Sequence, residues 1–386
     1  MRPFCGKGGK LPHVSHTSLS ILAVEPWLGG SHERFLAGWK QRSTHRVQIL
    51  GLPARHWRWR MQGAAHTLAR RARELQPPDV LLVSDYLDLP RFRGFLPPAW
   101  AGIPAALYLH ENQLTYPLRP GEERRERDLA PAFANLLSCL SAERVVFNSR
   151  FHRDEFRDAA LELLAQLPSP KPTAELENAL ETARVIGPGV DLEATPLGPG
   201  PPSGSPLRVL FNHRWEHDKD PAAFLRAVRA ARQQGAQIEL VLLGESYRKS
   251  PPQVDALLAE LAPCILHRGW AADRAQYLHL LGSADLVVST ARHEFFGMAL
   301  LEGVAAGAMP LAPRALAYPE VLAEELHAQA FYSDADDLVA HLVVAAQTPR
   351  VYRDPEARAR LRASVEPHDQ AHTAARLDEL TLELTT

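Results

Sequence analysis

The segment Gly187 to Pro206, GPGVDLEATPLGPGPPSGSP, constrains the fold more than any other, because its glycine and proline content suits neither a helix nor a central strand. On both sides of it the same alternation runs: short Val-, Ile- and Leu-rich stretches, then longer stretches of helical period. That is the pattern of βα units around a parallel sheet. Before the segment, strands are expected at Ile21–Val24, Val47–Leu50, Val80–Ser84, Ala105–Leu109, Val145–Phe147 and Arg184–Ile186, with the clearest helices at Met61–Gln76, Arg127–Ala142 and Arg150–Gln166. After it, strands are expected at Leu207–Phe211, Ile238–Leu242, Ile265–His267, Leu286–Ser289 and Met309–Leu311. The predicted fold class is therefore α/β, with two Rossmann-like domains facing a central cleft. They span residues 18–190 and 207–350, joined by a linker at 191–206. Residues 351–386 read as C-terminal helices whose end can pack back on the first domain, and residues 1–17 as a disordered leader.

The 46% hydrophobic and 23% charged composition is that of a soluble globular protein, and no apolar run reaches the ~18 residues a membrane-spanning helix needs. Three scattered cysteines, Cys5, Cys139 and Cys264, form no CxxC pair, which argues against disulfides and structural zinc and for a reducing cytoplasm. The net charge of −2 gives no global sign of a polyanionic partner, yet Arg55 to Arg73 holds six arginines and no acid. GKGGK near the start lacks both a preceding strand and the spacing of a P-loop.

Three strand-to-helix junctions carry candidate chemistry. Gly29 and Gly30, between Ile21–Val24 and a helical run from Glu33, read either as a tight turn or as backbone approaching an anion at a helix start. In PLRVLFNHRWEHDKDP, Arg214 and Lys219 lie between a strand and a helix opened by Asp220-Pro221, at the sheet edge where open α/β folds bind ligands. They can neutralise a diphosphate, Arg with a planar fork and Lys as a point charge, or pair with the acids around them. In SADLVVSTARHEFFGMALLEGVAAG, Glu294 and Glu302 stand eight positions apart. Gly297, Met298 and Ala299 offer N–H groups to a leaving phosphate, and Glu302 suits ribose hydroxyls.

This last segment resembles the signature of retaining GT-B glycosyltransferases. The resemblance implies that Arg214 and Lys219 hold a donor diphosphate, Glu294 lies by the sugar, Glu302 binds the ribose, and Gly244 and Arg268-Gly269-Trp270 meet the base. EPWLGGSHERF, LPARHWRWRMQGAAH, YLHENQLTYP and VVFNS, with NHRWEHDKDP, resemble the queuosine-tRNA mannosyltransferase family. That implies GDP-mannose as donor, no metal or other cofactor, and the cyclopentene-diol of queuosine in tRNA(Asp) as acceptor. It places His110 near the sugar hydroxyls and assigns His32, Glu111, Asn112 and Gln113 to the acceptor side. Arg55, Trp57, Arg58, Trp59 and Arg60 read either as an exposed basic segment whose tryptophans cover core, or as a grip on an RNA loop. The rival readings are a GT-B enzyme acting on a lipid or polysaccharide, and a non-catalytic tRNA-binding protein.

Overall fold

Strands β3 (Val80–Ser84) and β4 (Ala105–Leu109) are unbroken apolar or small-residue runs, VLLVS and AALYL, and every residue of both is buried. Strands covered on both faces by helices read this way. In the computed structural model, which describes residues 18–117, 128–244 and 251–386, they lie in a six-stranded parallel sheet. Its other strands are β1 (Ser20–Leu28), β2 (Arg46–Pro53), β5 (Arg144–Phe147) and β6 (Arg184–Val185), and its order is β2-β1-β3-β4-β5-β6. A second parallel sheet holds β7 (Leu207–Asn212), β8 (Ile238–Leu243), β9 (Ile265–Gly269), β10 (Leu286–Val288), β11 (Met309–Pro313) and β12 (Phe331–Tyr332), in the order β12-β11-β10-β7-β8-β9. Chain direction across the sheet reverses between β1 and β3 in the first and between β7 and β10 in the second. Open parallel sheets bind ligands at such switch points, beyond the strands' carboxyl ends.

The sequence did not foreshadow β12, a two-residue strand paired with Ala312 and Pro313, which is too short to show a period. Helix Thr173–Glu181 was also unexpected; it buries Leu176 and Leu180, one turn apart, against the first sheet's core. The helix expected at Met61–Gln76 runs over Trp57–Ala72, because the left-handed His56 (φ 57°) turns the chain into it earlier. The helix expected at Arg127–Ala142 runs over Ala130–Ser141. Residues 1–17 and the charged run Glu122–Arg127 lie outside the described residues. Cys139 and Cys264 are free and buried, and among the described residues no helix is long and apolar enough to cross a membrane.

Residues 191–206 hold no regular element but are strapped to the second lobe. The buried Arg358 donates to the carbonyls of Gly198, Gly282, Ala284 and Ala306. A side chain at Gly198 would meet Gly282 Cα at 2.1 Å, so this crossing needs glycine. The last helix, Gln370–Glu383, returns to the first lobe and packs Ala374, Leu377 and Leu380 against Phe35 and Trp39 of helix Gly30–Arg42. Asp378 fixes it there, accepting from Trp39 Nε1 (2.8 Å), Ser43 Oγ (2.6 Å), and Thr44 N and Oγ1 (2.7 and 2.8 Å).

Burial alone would raise the Asp378 carboxyl's pKa, but these donors hold it below its ordinary value. Its stabilisation is therefore full above the ordinary carboxylate range and is lost as pH falls through the lowered value. Asp378→Ala strands the donors and should cost about 2–4 kcal/mol. Urea titration should show a lower midpoint at an unchanged m-value.

Candidate active site

At the second switch point, the loop after β7 and the loop after β10 are held together by one buried ammonium. Lys219 Nζ donates to the His293 carbonyl (2.7 Å) and lies 3.2 Å from both Glu294 Oε2 and Asp218 Oδ2. Thr290 Oγ1 donates to the carbonyls of Lys219 and Asp220, and Arg292 N donates to the Asp218 carbonyl (2.7 Å). Asp220, left-handed at φ 42°, caps helix Pro221–Gln233 through Ala223 N and pairs with Arg292. Burial would raise the Glu294 carboxyl, but Lys219 and the backbone N–H groups outweigh it and hold its pKa at about 2. His213 and His293 beside it are pushed down to about 4, by burial and then by the Lys219 charge, and stay neutral at pH 7.

Glu294 is fixed at its other oxygen as well. Oε1 accepts from the N–H groups of Phe295, Phe296 and Gly297 at 3.0–3.3 Å. Gly297 then starts helix Met298–Ala305 with φ 89°, where a side chain would also strike Tyr318 at 2.9 Å. The first N–H groups of this helix have no intrahelical acceptor, and Met298 and Ala299, in its first turn, line the cleft. One turn further in, the buried Glu302 accepts from Tyr277 Oη (2.6 Å) and from Arg34 Nη1 of the first lobe (3.3 Å), with Arg274 at 3.7 Å.

The first lobe supplies the opposite wall from its own switch point. Glu25, near the end of β1, accepts from His32 Nδ1 (3.0 Å), Ser84 Oγ (2.9 Å) and Trp27 N (2.8 Å). The His32 ring lies against His110 after β4, with centroids 3.9 Å apart and planes tilted by 35°. His110 N–H donates to Asp85 Oδ1 (3.2 Å), and the His110 carbonyl accepts from Asn148 Nδ2 (2.8 Å). Burial opposes a charge on His32, but Glu25 outweighs it and raises the pKa to about 9. Burial, then the His32 charge, pushes His110 the other way, so a cationic imidazole lies on a neutral one. Among the described residues Glu25, His32 and His110 are a group with donor atoms within 4.8 Å of one another. Their geometry is accounted for by the hydrogen-bonded ion pair and the ring contact.

The two walls enclose a cleft of about 540 Å³, within the usual range for ligand sites. Of the residues singled out from sequence, Gly30, His32, His110, Glu111, Arg214, Lys219, Gly244, Trp270, Glu294, Met298, Ala299 and Glu302 line it. Others serve elsewhere. Gly29 makes room for Ala54, since a side chain would lie 2.6 Å from its Cβ. Gly297 gives its N–H to Glu294. Arg268 lies over Trp215, 6.0 Å from the ring. Asn112 is fully buried and holds the turn at Leu114 and Thr115, and Gln113 N donates to Asn135. Arg55, Trp57, Arg58, Trp59 and Arg60 sit on the first lobe outside the cleft lining.

Sequence reasoning missed Glu25, Arg34, Asp85, Asn148 and Tyr277. Glu25 had a signal, a carboxylate closing an apolar strand at a sheet edge. Arg34 and Tyr277 had none: Arg34 comes to Glu302 only by the packing of one lobe against the other, and Tyr277 only by the packing of helix Arg274–Gly282 on helix Met298–Ala305 within the second lobe.

Two parallel sheets opposed across a cleft, with a buried Lys–Glu pair beside a helix start, define a glycosyltransferase of the GT-B fold. Sucrose-phosphate synthase from Thermosynechococcus elongatus superposes with a TM-score of 0.68 at 15% identity, over 95% of this chain and 99% of that one. A UDP-forming trehalose-phosphate synthase from Burkholderia xenovorans superposes at 0.65 and 13% identity, over 96% and 100%. Residues 200–363 match the family described as glycosyl transferases group 1, and residues 20–190 match tRNA-queuosine alpha-mannosyltransferase N-terminal. The tRNA-queuosine alpha-mannosyltransferase of Drosophila melanogaster is 33% identical over 86% of this chain and 88% of its own length. A GDP-mannose-dependent alpha-(1-6)-phosphatidylinositol dimannoside mannosyltransferase of Mycobacterium tuberculosis is 26% identical over 85% and 82%. The chain belongs to the tRNA-queuosine alpha-mannosyltransferase family.

The stability that the His32–Glu25 pair contributes is full below the ordinary histidine pKa of about 6.5 and is lost as pH rises through about 9. Nitrogen-15 spectra should show His32 as imidazolium at pH 8 and His110 as the neutral ring at pH 7. In Glu25→Gln burial prevails, and the His32 pKa should fall below 6.5.

Proposed function

We propose that this chain transfers mannose from GDP-mannose to the cyclopentene-diol of queuosine in the anticodon of tRNA(Asp), in the cytoplasm and with retention of anomeric configuration. The Drosophila relative's name supports the acceptor, and the Mycobacterium relative's name supports the donor. The observation that carries the chemistry is the cationic, helix-started edge of the second sheet opposite the neutral His110.

In this reading the donor diphosphate lies against Arg214 and the N–H groups of Met298 and Ala299, with the buried Lys219 behind them. Negative charge gathers on the leaving diphosphate as the glycosidic bond loosens, and preoriented donors in a dry cleft stabilise it strongly. These cations take the part a metal would otherwise play. Glu302 and Tyr277 receive the ribose, which displaces Arg34. Glu294 spends both oxygens on Lys219 and three N–H groups, so it orients the sugar rather than attacking it. With no protein nucleophile in play, acceptor and leaving group share one face, and a phosphate oxygen takes the acceptor's proton. The acceptor hydroxyls meet the wall of His110, His32 and Glu111.

The test is nucleoside mass spectrometry of queuosine-containing tRNA incubated with the protein and GDP-mannose. Queuosine should gain one hexose; an unmodified nucleoside would overturn the reading. Arg214→Ala should lose about 2–4 kcal/mol of transition-state stabilisation, read from kcat/KM, with the fold kept because the side chain is half exposed. Lys219→Ala should lose stability as well, since it leaves Asp218 and Glu294 buried without a counter-charge. Glu302→Ala should chiefly raise the donor KM.

A further inference from the structure

We propose that the first lobe's surface at the start of helix Trp57–Ala72 is the RNA seat of the reaction above: Arg55, Arg58 and Arg60 hold phosphates, and Trp59 stacks on an unpaired base. The inference rests on that reading and adds the place where the polynucleotide lies.

Six arginines occupy residues 55–73, and among the described residues no carboxylate lies within 4.0 Å of any of them. Arg60, Arg71 and Arg73 donate only to neutral carbonyls, those of Pro53, Gly51 and Phe95. Other arginines of this chain are paired, such as Arg208 with Glu239 and Arg353 with Asp285. The six divide by position. Arg70, Arg71 and Arg73 close the helix, where the dipole favours cations and explains them. Arg58 and Arg60 stand in its first turn and Arg55 just before it, with no acidic residue in that turn, so the dipole opposes them. A polyanion would relieve both the repulsion and the missing counter-charge.

Trp59 is 65% exposed. Its indole lies against Gly63 one turn on, where a Cβ would approach the ring to 2.8 Å, so the glycine seats the ring flat on the helix. A flat, exposed indole beside cations suits a base pulled from its stack. The seat also connects to the cleft. Trp57, under the Arg58 guanidinium at 5.3 Å, packs into a cluster with Tyr86 and Trp27. Tyr86 stacks on Trp27 at 5.8 Å and meets His32 at 5.6 Å, and His32 lies on His110.

A lipid surface would also attract these cations, but a helix that enters a membrane interface offers it an apolar face. Here Met61, Ala64, Ala65, Leu68, Ala69 and Ala72 face the lobe's interior and are buried. That leaves polynucleotide as the occupant.

The experiment measures binding of queuosine-containing tRNA to the full chain across a salt series, beside GDP-mannose calorimetry and flotation with phosphatidylglycerol vesicles. The Arg55→Ala/Arg58→Ala/Arg60→Ala variant should bind tRNA at least about tenfold more weakly, with the slope of log K on log salt reduced by about 2–3. The triple Lys variant should keep the slope. Trp59→Ala should weaken binding about 5- to 100-fold at an unchanged slope. GDP-mannose affinity should match the wild type throughout, which also reports an intact fold. Wild-type tRNA affinity and slope in the triple Ala variant would overturn the proposal, as would vesicle binding by the wild type that those substitutions abolish. Wild-type protein that binds tRNA through these residues yet adds no mannose would sink the transferase reading and leave the seat standing.

Discussion

The buried ammonium of Lys219 is the contact on which the cleft depends. A lysine with so little access to water carries its charge only because two carboxylates and a carbonyl lie within 3.2 Å. The same contacts join the loop after β7 to the loop after β10, and so close the switch point of the second sheet into one surface. Glu294, fixed by Lys219, gathers three successive backbone N–H groups and sets the turn that starts helix Met298–Ala305. Gly244, whose side chain would lie 2.1 Å from the His213 carbonyl, lets the β8 end pass beneath that surface.

The first lobe is built on a similar plan. Its switch point carries carboxylates and imidazoles, Glu25, Asp85, His32 and His110; the second lobe's carries Asp218, Glu294, His213 and His293 and adds the cations Arg214 and Lys219. Between the lobes the ties are both aromatic and polar: His152 of the first lobe stacks on Phe295 of the second, with centroids 3.8 Å apart, and Phe151 packs against the second lobe's core. Arg34 meets Glu302, and Glu320 accepts from Arg150 N and Phe151 N at the start of helix Arg150–Ala165. His217 meets the Pro117 carbonyl. The covalent crossing is held too: residues 191–206 are strapped to the second lobe by Arg358, and the last helix is anchored to the first by Asp378.

Among the described residues eleven of the twelve strands were anticipated, most as apolar runs that stand out between helices; β6 and β12 are both two residues long, and β6 was anticipated only within the run Arg184–Ile186. The candidate site was half legible, for a related reason. Arg214, Lys219 and Glu294 lie in loops that follow strands, with Glu302 a turn into the helix after Glu294, and a strand's carboxyl end in a parallel sheet is a place that the sequence alone can identify. Asn112 sits at such an end too, yet its amide is spent holding a turn, which no pattern of residue types distinguishes from a ligand contact.

The sequence by itself determined the two βα lobes, the break between them and the loops that carry the chemistry, since these follow from local periodicity and from glycine and proline. Only the tertiary structure decided which of those loops meet. Arg34 reaches Glu302 across 268 positions of chain, and Trp39 reaches Asp378 across 339. Tertiary packing also decided charge. His32 in the first turn of helix Gly30–Arg42 and His110 just after β4 are the same residue type, yet a carboxylate 3.0 Å away keeps one cationic while burial keeps the other neutral. Ionisation depends on neighbours and access to water, and neither is written in the order of the residues.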